Sequence, residues 1–124
     1  MYTEIFEGLR SYYARYPSRR SAAGFHAAMT LSFLFCVAIT AAVTLADYFI
    51  NGNILWSVEL FGNKLALIAT GIAVAYAHIQ FGKRTGRYNS VELLSPSHWQ
   101  IYFAIYAGTA AILLLSAVLV ALVM

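Results

Sequence analysis

Three stretches of this chain carry no formal charge: residues 22–45, 65–82 and 99–124, separated by short segments that hold nearly all the charged residues. About 20 apolar residues in a helix suffice to cross a hydrocarbon core of roughly 30 Å, so each stretch has the length of a membrane span. The middle one, 18 residues between Lys64 and Lys83, is near the lower limit. Its flanking lysine stems can extend it by snorkelling. With 61% hydrophobic and only 10% charged residues, the chain lies far from the roughly 45–50% and 25% of soluble domains. So little polar surface could not coat a water-soluble core of this size. The expected fold is therefore all-α, an integral membrane protein with three transmembrane helices plus an N-terminal amphipathic interfacial helix. The expected segments are 1–21 (cytoplasmic), 22–46 (first span), 47–63 (external interfacial loop), 64–82 (second span), 83–97 (cytoplasmic basic loop) and 98–124 (third span).

Charge placement gives the expected orientation. Arg10, Arg15, Arg19 and Arg20 precede the first stretch and Lys83, Arg84 and Arg87 follow the second, whereas the loop between them has only Lys64 beside Asp47 and Glu59. Basic residues are held back in the cytoplasm, so the N-terminus is expected inside and the C-terminal end of the third span outside, in the cell (inner) membrane. Arg19, Arg20, Lys83, Arg84 and Arg87 are the expected topology determinants and contacts for anionic lipid headgroups. The net charge of +3 is concentrated in these clusters and does not form the broad basic face that nucleic acid requires. The first apolar stretch is longer than the 7–15 residues of a signal-peptide core, so it is expected to remain as a span. Cys36, the sole cysteine, sits inside that stretch and reads as a small apolar helix residue.

The first sixteen residues have their own pattern. Tyr2, Ile5, Phe6, Leu9, Tyr12, Tyr13 and Tyr16 recur at helical spacing, while Thr3, Glu4, Glu7, Arg10, Ser11 and Arg15 fall largely on the other face. Pro17 ends the pattern. Tyr2, Phe6, Leu9, Tyr13 and Tyr16 are expected to lie at the headgroup interface or to dock a partner. The external loop repeats the theme with Ile54, Leu55, Trp56, Val58, Leu60 and Phe61. In the cytoplasmic loop, Gly82 to Gly86 lacks the Gly-Lys-Ser/Thr ending of a phosphate-binding loop and reads as a turn. Ser95-Pro96 is suited to opening the third helix.

Candidate chemistry is sparse. His26, His78 and His98 all fall toward the expected cytoplasmic side, and His26 with His78 could ligate haem between adjacent helices. The alternative is that each histidine simply favours the interface, with no cofactor. Small residues at four-residue spacing are more pervasive: Ala38 and Ala42, Ala69, Ala73 and Ala77, and Ala104 with Gly108. Such ridges let helices approach closely where lipid removes the hydrophobic drive for association. Thr30, Ser32, Thr40, Thr44, Thr70, Thr109 and Ser116 can add interhelical or back-bonded hydrogen bonds. No charge lies mid-span, which disfavours a proton-coupled transporter or charged ion filter. Ser95, Ser97 and His98 belong to no recognised catalytic motif, so no enzyme activity is expected. The expected function is a small non-enzymatic membrane protein that self-associates through its small-residue faces, in one form a pore-forming or membrane-perturbing effector. The alternative is an accessory or anchor subunit of a larger membrane complex. The expected partners are the lipid bilayer and either further copies or such a complex, not nucleic acid.

Overall fold

A computed structural model describes residues 2–16, 22–86, 88 and 98–123. Among these the chain is entirely helical: α1 (Tyr2–Ala14), α2 (Ala23–Asn51), α3 (Leu55–Gly62), α4 (Lys64–Arg84) and α5 (Trp99–Val123). Three of them, α2, α4 and α5, are long and apolar enough to cross a membrane. At about 1.5 Å per residue, α2 is ~43 Å long, α4 ~31 Å and α5 ~37 Å. The shortest therefore just matches a hydrocarbon core and α2 exceeds one.

The ends of the helices follow from local chemistry. α2 stops at Gly52, whose φ of 71° is left-handed and whose N–H returns to the Tyr48 carbonyl at 2.8 Å. Asn63 starts α4, its side chain accepting from the Ala66 N–H at 3.2 Å. Ile54, just ahead of α3, has no side chain able to cap it. The cap is supplied by Asp47 of α2 instead: one oxygen accepts from the Ser57 N–H at 3.0 Å and its hydroxyl at 3.1 Å, the other from Asn51 Nδ2 at 2.7 Å. A carboxylate at a helix N-terminus also meets the favourable end of the dipole. Asp47 is thus buried, with one oxygen committed to α3 and the other to Asn51 of its own helix.

Within the long helices the hydroxyls mostly turn back on their own backbone. Ser32, Thr44 and Thr109 donate to the carbonyls of Ala28, Thr40 and Ile105 at 2.7, 2.9 and 2.8 Å. α2 is the centre of the arrangement and packs along both α4 and α5, whereas α4 and α5 scarcely touch one another. The result is a two-armed bundle.

α1 closes one end of it. Its packing depends on three glycines where a side chain would not fit: a Cβ on Gly8 would run into the Trp99 ring, one on Gly24 into the Tyr88 carbonyl, and one on Gly82 would come within 2.7 Å of the Phe6 ring. Phe6 is consequently 0% exposed, and Ile5, Leu9, Ala27, Ala28 and Leu31 complete the core. Tyr13 ties α1 to α2: Thr30 donates to the His26 carbonyl at 3.0 Å, which leaves its oxygen to accept the Tyr13 hydroxyl at 2.6 Å. Arg10 and Ser11, placed by periodicity on a water-facing side, are buried too. The helix is inserted among its neighbours, so burial extends past the apolar stripe.

Adding one methyl at Gly8 should force Trp99 aside and loosen α1 by about 1–3 kcal/mol. Trypsin cleavage after buried Arg10 should then be about tenfold faster in Gly8→Ala than in the native chain, since cleavage requires local release. Gly71→Ala, where a Cβ meets nothing within 4 Å, should leave the rate unchanged. Asp47→Ala should cost about 0.5–2 kcal/mol through loss of the α3 cap, seen as faster amide exchange at Trp56 and Ser57 without change in α1.

Candidate functional site

Because α4 and α5 both pack on α2 but scarcely touch each other, a cleft of about 640 Å³ opens between them at the α1 end. Leu31 and Phe35 of α2 form its back, Ala73, Ala77, His78 and Phe81 belong to the α4 wall, and Tyr106 stands on the α5 side. Tyr2 and Ile5 of α1 close the end. Among the described residues no charged side chain lines it. The polar functions it offers are therefore two phenols and an imidazole, all near the α1 end.

Their geometry is set by ring packing. The Tyr2 ring lies 6.4 Å from Phe6 in a stacked pair, 6.0 Å from Phe81 edge-on and 6.1 Å from His78. Phe6 in turn stacks on Tyr88 at 6.3 Å. His78 is also met edge-on by Phe35 at 5.6 Å. Its Nδ1 is 2.8 Å from the Val74 carbonyl oxygen. A carbonyl only accepts, so in the neutral ring Nδ1 carries the hydrogen and Nε2 the lone pair. The Tyr2 hydroxyl contacts the His78 carbonyl at 3.5 Å, well beyond the ~2.7–2.8 Å of a good O–H···O bond. Burial, with a smaller contribution from Tyr106, pushes the Tyr2 phenol up to about 12. The Tyr88 phenol is raised as well, by burial.

His78 and His26 are not brought together. His78 packs at the level of Phe35, nine residues or ~13 Å along α2 from His26, and the His26 ring sits 5.5 Å from Tyr13 near the far end of α1. Two axial ligands of one iron need to face each other at one level, so this pair does not frame a haem. His98 stands just ahead of α5 with φ of 67°. Among the described residues no group of three or more His, Cys, Asp or Glu side chains is placed to hold a metal ion.

Of the residues expected at the interface or against a partner, Phe6 and Leu9 are buried inside the chain, Tyr2 and Tyr13 are half-buried, and Tyr16 is exposed. Among the small-residue ridges, Ala42, Ala69, Ala73 and Ala104 are exposed, and Ala38, Ala77 and Gly108 half-buried. The small residues that pack the chain internally are others, including Ala27, Ala28 and Ala41 of α2 and Ala110 and Ala117 of α5. Lys83 Nζ lies 5.7 Å over the Tyr88 ring and the Arg84 guanidinium 5.4 Å over Phe81, so these two basic residues sit at the α1 end, whereas Lys64 starts α4 at the other. Arg19, Arg20, Arg87 and the Ser95-Pro96 helix entry lie outside the described residues. Periodicity did not single out Gly8, Gly24, Tyr88 or Trp99. A glycine inside an amphipathic helix, four residues from the next aromatic, was the available signal.

Compared with known proteins, the chain matches no family model, no curated protein and no solved structure. The functional reading therefore rests on the geometry above.

In absorbance titration, one tyrosine should ionise near pH 12 and disappear from the curve in Tyr2→Phe. The sign follows from the direction of the shift. Between pH 10.0, the ordinary phenol value, and about 12 the folded chain keeps a proton that the unfolded chain has lost. The Tyr2 contribution to stability is thus complete below pH 10 and declines as pH rises toward 12, and α1 should become trypsin-sensitive over that interval.

Proposed function

We propose that the chain is a non-enzymatic integral membrane protein, with α2, α4 and α5 as its spans and the α1 end in the cytoplasm, that works by self-association in the plane of the bilayer. Support for insertion comes from the outer surface of the three long helices. Phe33, Ile68, Ile72, Ile105, Ile112 and Leu115 are each more than half exposed, a continuous apolar surface of a kind that water-soluble monomers avoid. Orientation is supported by Lys83 and Arg84 collecting with Arg10 and Arg15 at the end closed by α1, against Lys64 alone among the described basic residues at the opposite end.

The observation that carries self-association is the outward side of α5. At 3.6 residues per turn, Trp99, Tyr106, Ala110 and Ala117 share the side that packs into the chain. Ala104, Gly108, Ala111 and Leu115 fall on the opposite side. A Cβ on Gly108 would meet nothing within 4 Å. A small-residue ridge aimed away from every helix of its own chain suits close approach by a second α5, since packing and not hydrophobicity drives association in lipid. The outward faces are apolar along their length, which favours a sealed assembly over a water-filled pore.

Mass determination in mild detergent tests this. The native protein should run as a dimer or larger closed oligomer, and Gly108→Ile should shift it to monomer with unchanged helicity. A native monomer, or an oligomer that includes a different polypeptide and survives Gly108→Ile, would favour the accessory-subunit reading instead. Cysteine labelling from outside intact cells should modify a cysteine placed at Gly52 and spare one placed at Gly86.

A further inference from the structure

We infer that the cleft between α4 and α5 binds one neutral amphiphile, its alkyl body along α2 and α4 and a hydroxyl head between Tyr2 and His78. The inference rests on the reading that these helices lie in a bilayer, but uses a face of the chain other than the α5 ridge.

A volume of about 640 Å³ falls within the range of small-molecule pockets, roughly 300–1,000 Å³. An apolar void of that size is not filled by water, which needs several polar partners, and left empty it would forfeit dispersion contacts along its whole lining. Something apolar therefore occupies it, and in a bilayer the supply is lateral, through the gap that α4 and α5 leave by scarcely touching.

The chemistry of the closed end narrows the occupant. Leu31, Phe35, Ala73 and Phe81 offer nothing to a polar group, whereas Tyr2, His78 and Tyr106 do. His78 has spent its one N–H on Val74, so what it retains is an acceptor. Tyr2 holds a donor in a contact too long to be satisfying, at 3.5 Å. An acceptor beside an under-used donor suits a group that donates and accepts at once, which is a hydroxyl. With no charged side chain among the described residues of the lining, an ionic head would be desolvated there without compensation. Burial that keeps the Tyr2 phenol protonated up to about pH 12 agrees with a site built for neutral heads. Because α1 supplies Tyr2 and Ile5, the site exists only when α1 is seated.

Native mass spectrometry of the full chain in mild detergent, with hexadecanol as probe, is the test. One molecule should bind saturably per chain. Hexadecane and the hexadecyltrimethylammonium ion should bind about tenfold more weakly or less, the expected loss for one unmet hydrogen bond or a buried charge. His78→Phe should reduce hexadecanol to the level of hexadecane, and Ala73→Phe, which adds volume to the wall without touching the polar end, should abolish both. Gly108→Ile should bind as the native protein does, so loss of self-association and loss of the site are separately visible. Equal binding of alcohol and alkane, non-saturating uptake, or binding indifferent to Ala73→Phe would overturn the inference. So would an oligomer that dissociates in Ala73→Phe, because a second copy's helix would then be the occupant.

Discussion

Everything at the functional end of this molecule depends on aromatic rings seated on glycines. Trp99 lies over Gly8 and Phe6 over Gly82, and the Tyr88 backbone crosses at Gly24. These contacts draw four separate parts of the chain to one place: α1, the start of α2, the end of α4 and the start of α5. In the bilayer setting proposed for them, long helices gain little from apolar contact with one another, because the surrounding hydrocarbon is an equally good neighbour. Close approach through missing side chains, backed by ring stacking and the Tyr13–Thr30 hydrogen bond, is what remains to hold them in register.

The opposite end uses different physics. There the chain leaves α2 through a left-handed glycine, and a short helix whose preceding residue cannot cap it takes its cap from Asp47. The carboxylate is stabilised by a backbone N–H, a hydroxyl and an amide in place of a cation. One end is thus locked by shape and the other by hydrogen bonds. Between them α4 and α5 are held to α2 but scarcely to each other, and that divergence creates both the cleft and the free outer side of α5.

How far this was legible in the residues varies by element. Charge-free runs located the three long helices, because an uninterrupted apolar stretch of about 18 residues or more is too long for a strand and suits a helix. The tyrosine-rich periodicity located α1, but assigned Arg10 and Ser11 to water when both are buried, since periodicity reports the strongest apolar stripe and not how many neighbours surround a helix. Four-residue spacing of alanines found ridges without saying which were internal. Ala110 and Ala117 turn inward while Ala104 and Gly108 turn outward, a choice made by which side of α5 meets α2. The histidines read alike along the chain, yet the fold gives His78 to the cleft and His26 to Tyr13, about nine residues of helix apart in level.

By itself the sequence determined that there would be three long apolar helices, which ends carry the basic residues, and that an amphipathic helix precedes them; it did not show that α2 continues past residue 46 to Asn51. The features it determined are properties of composition and spacing, written locally in the chain. Only the tertiary structure decided that α1 is inserted among the long helices, that Asp47 caps α3, and that α4 and α5 part to leave a cleft whose described lining carries no charge, with Tyr2 and His78 at its closed end. Such features arise from contacts between residues tens of positions apart, whose partners are selected by shape complementarity and not by any pattern that a single stretch of chain can display.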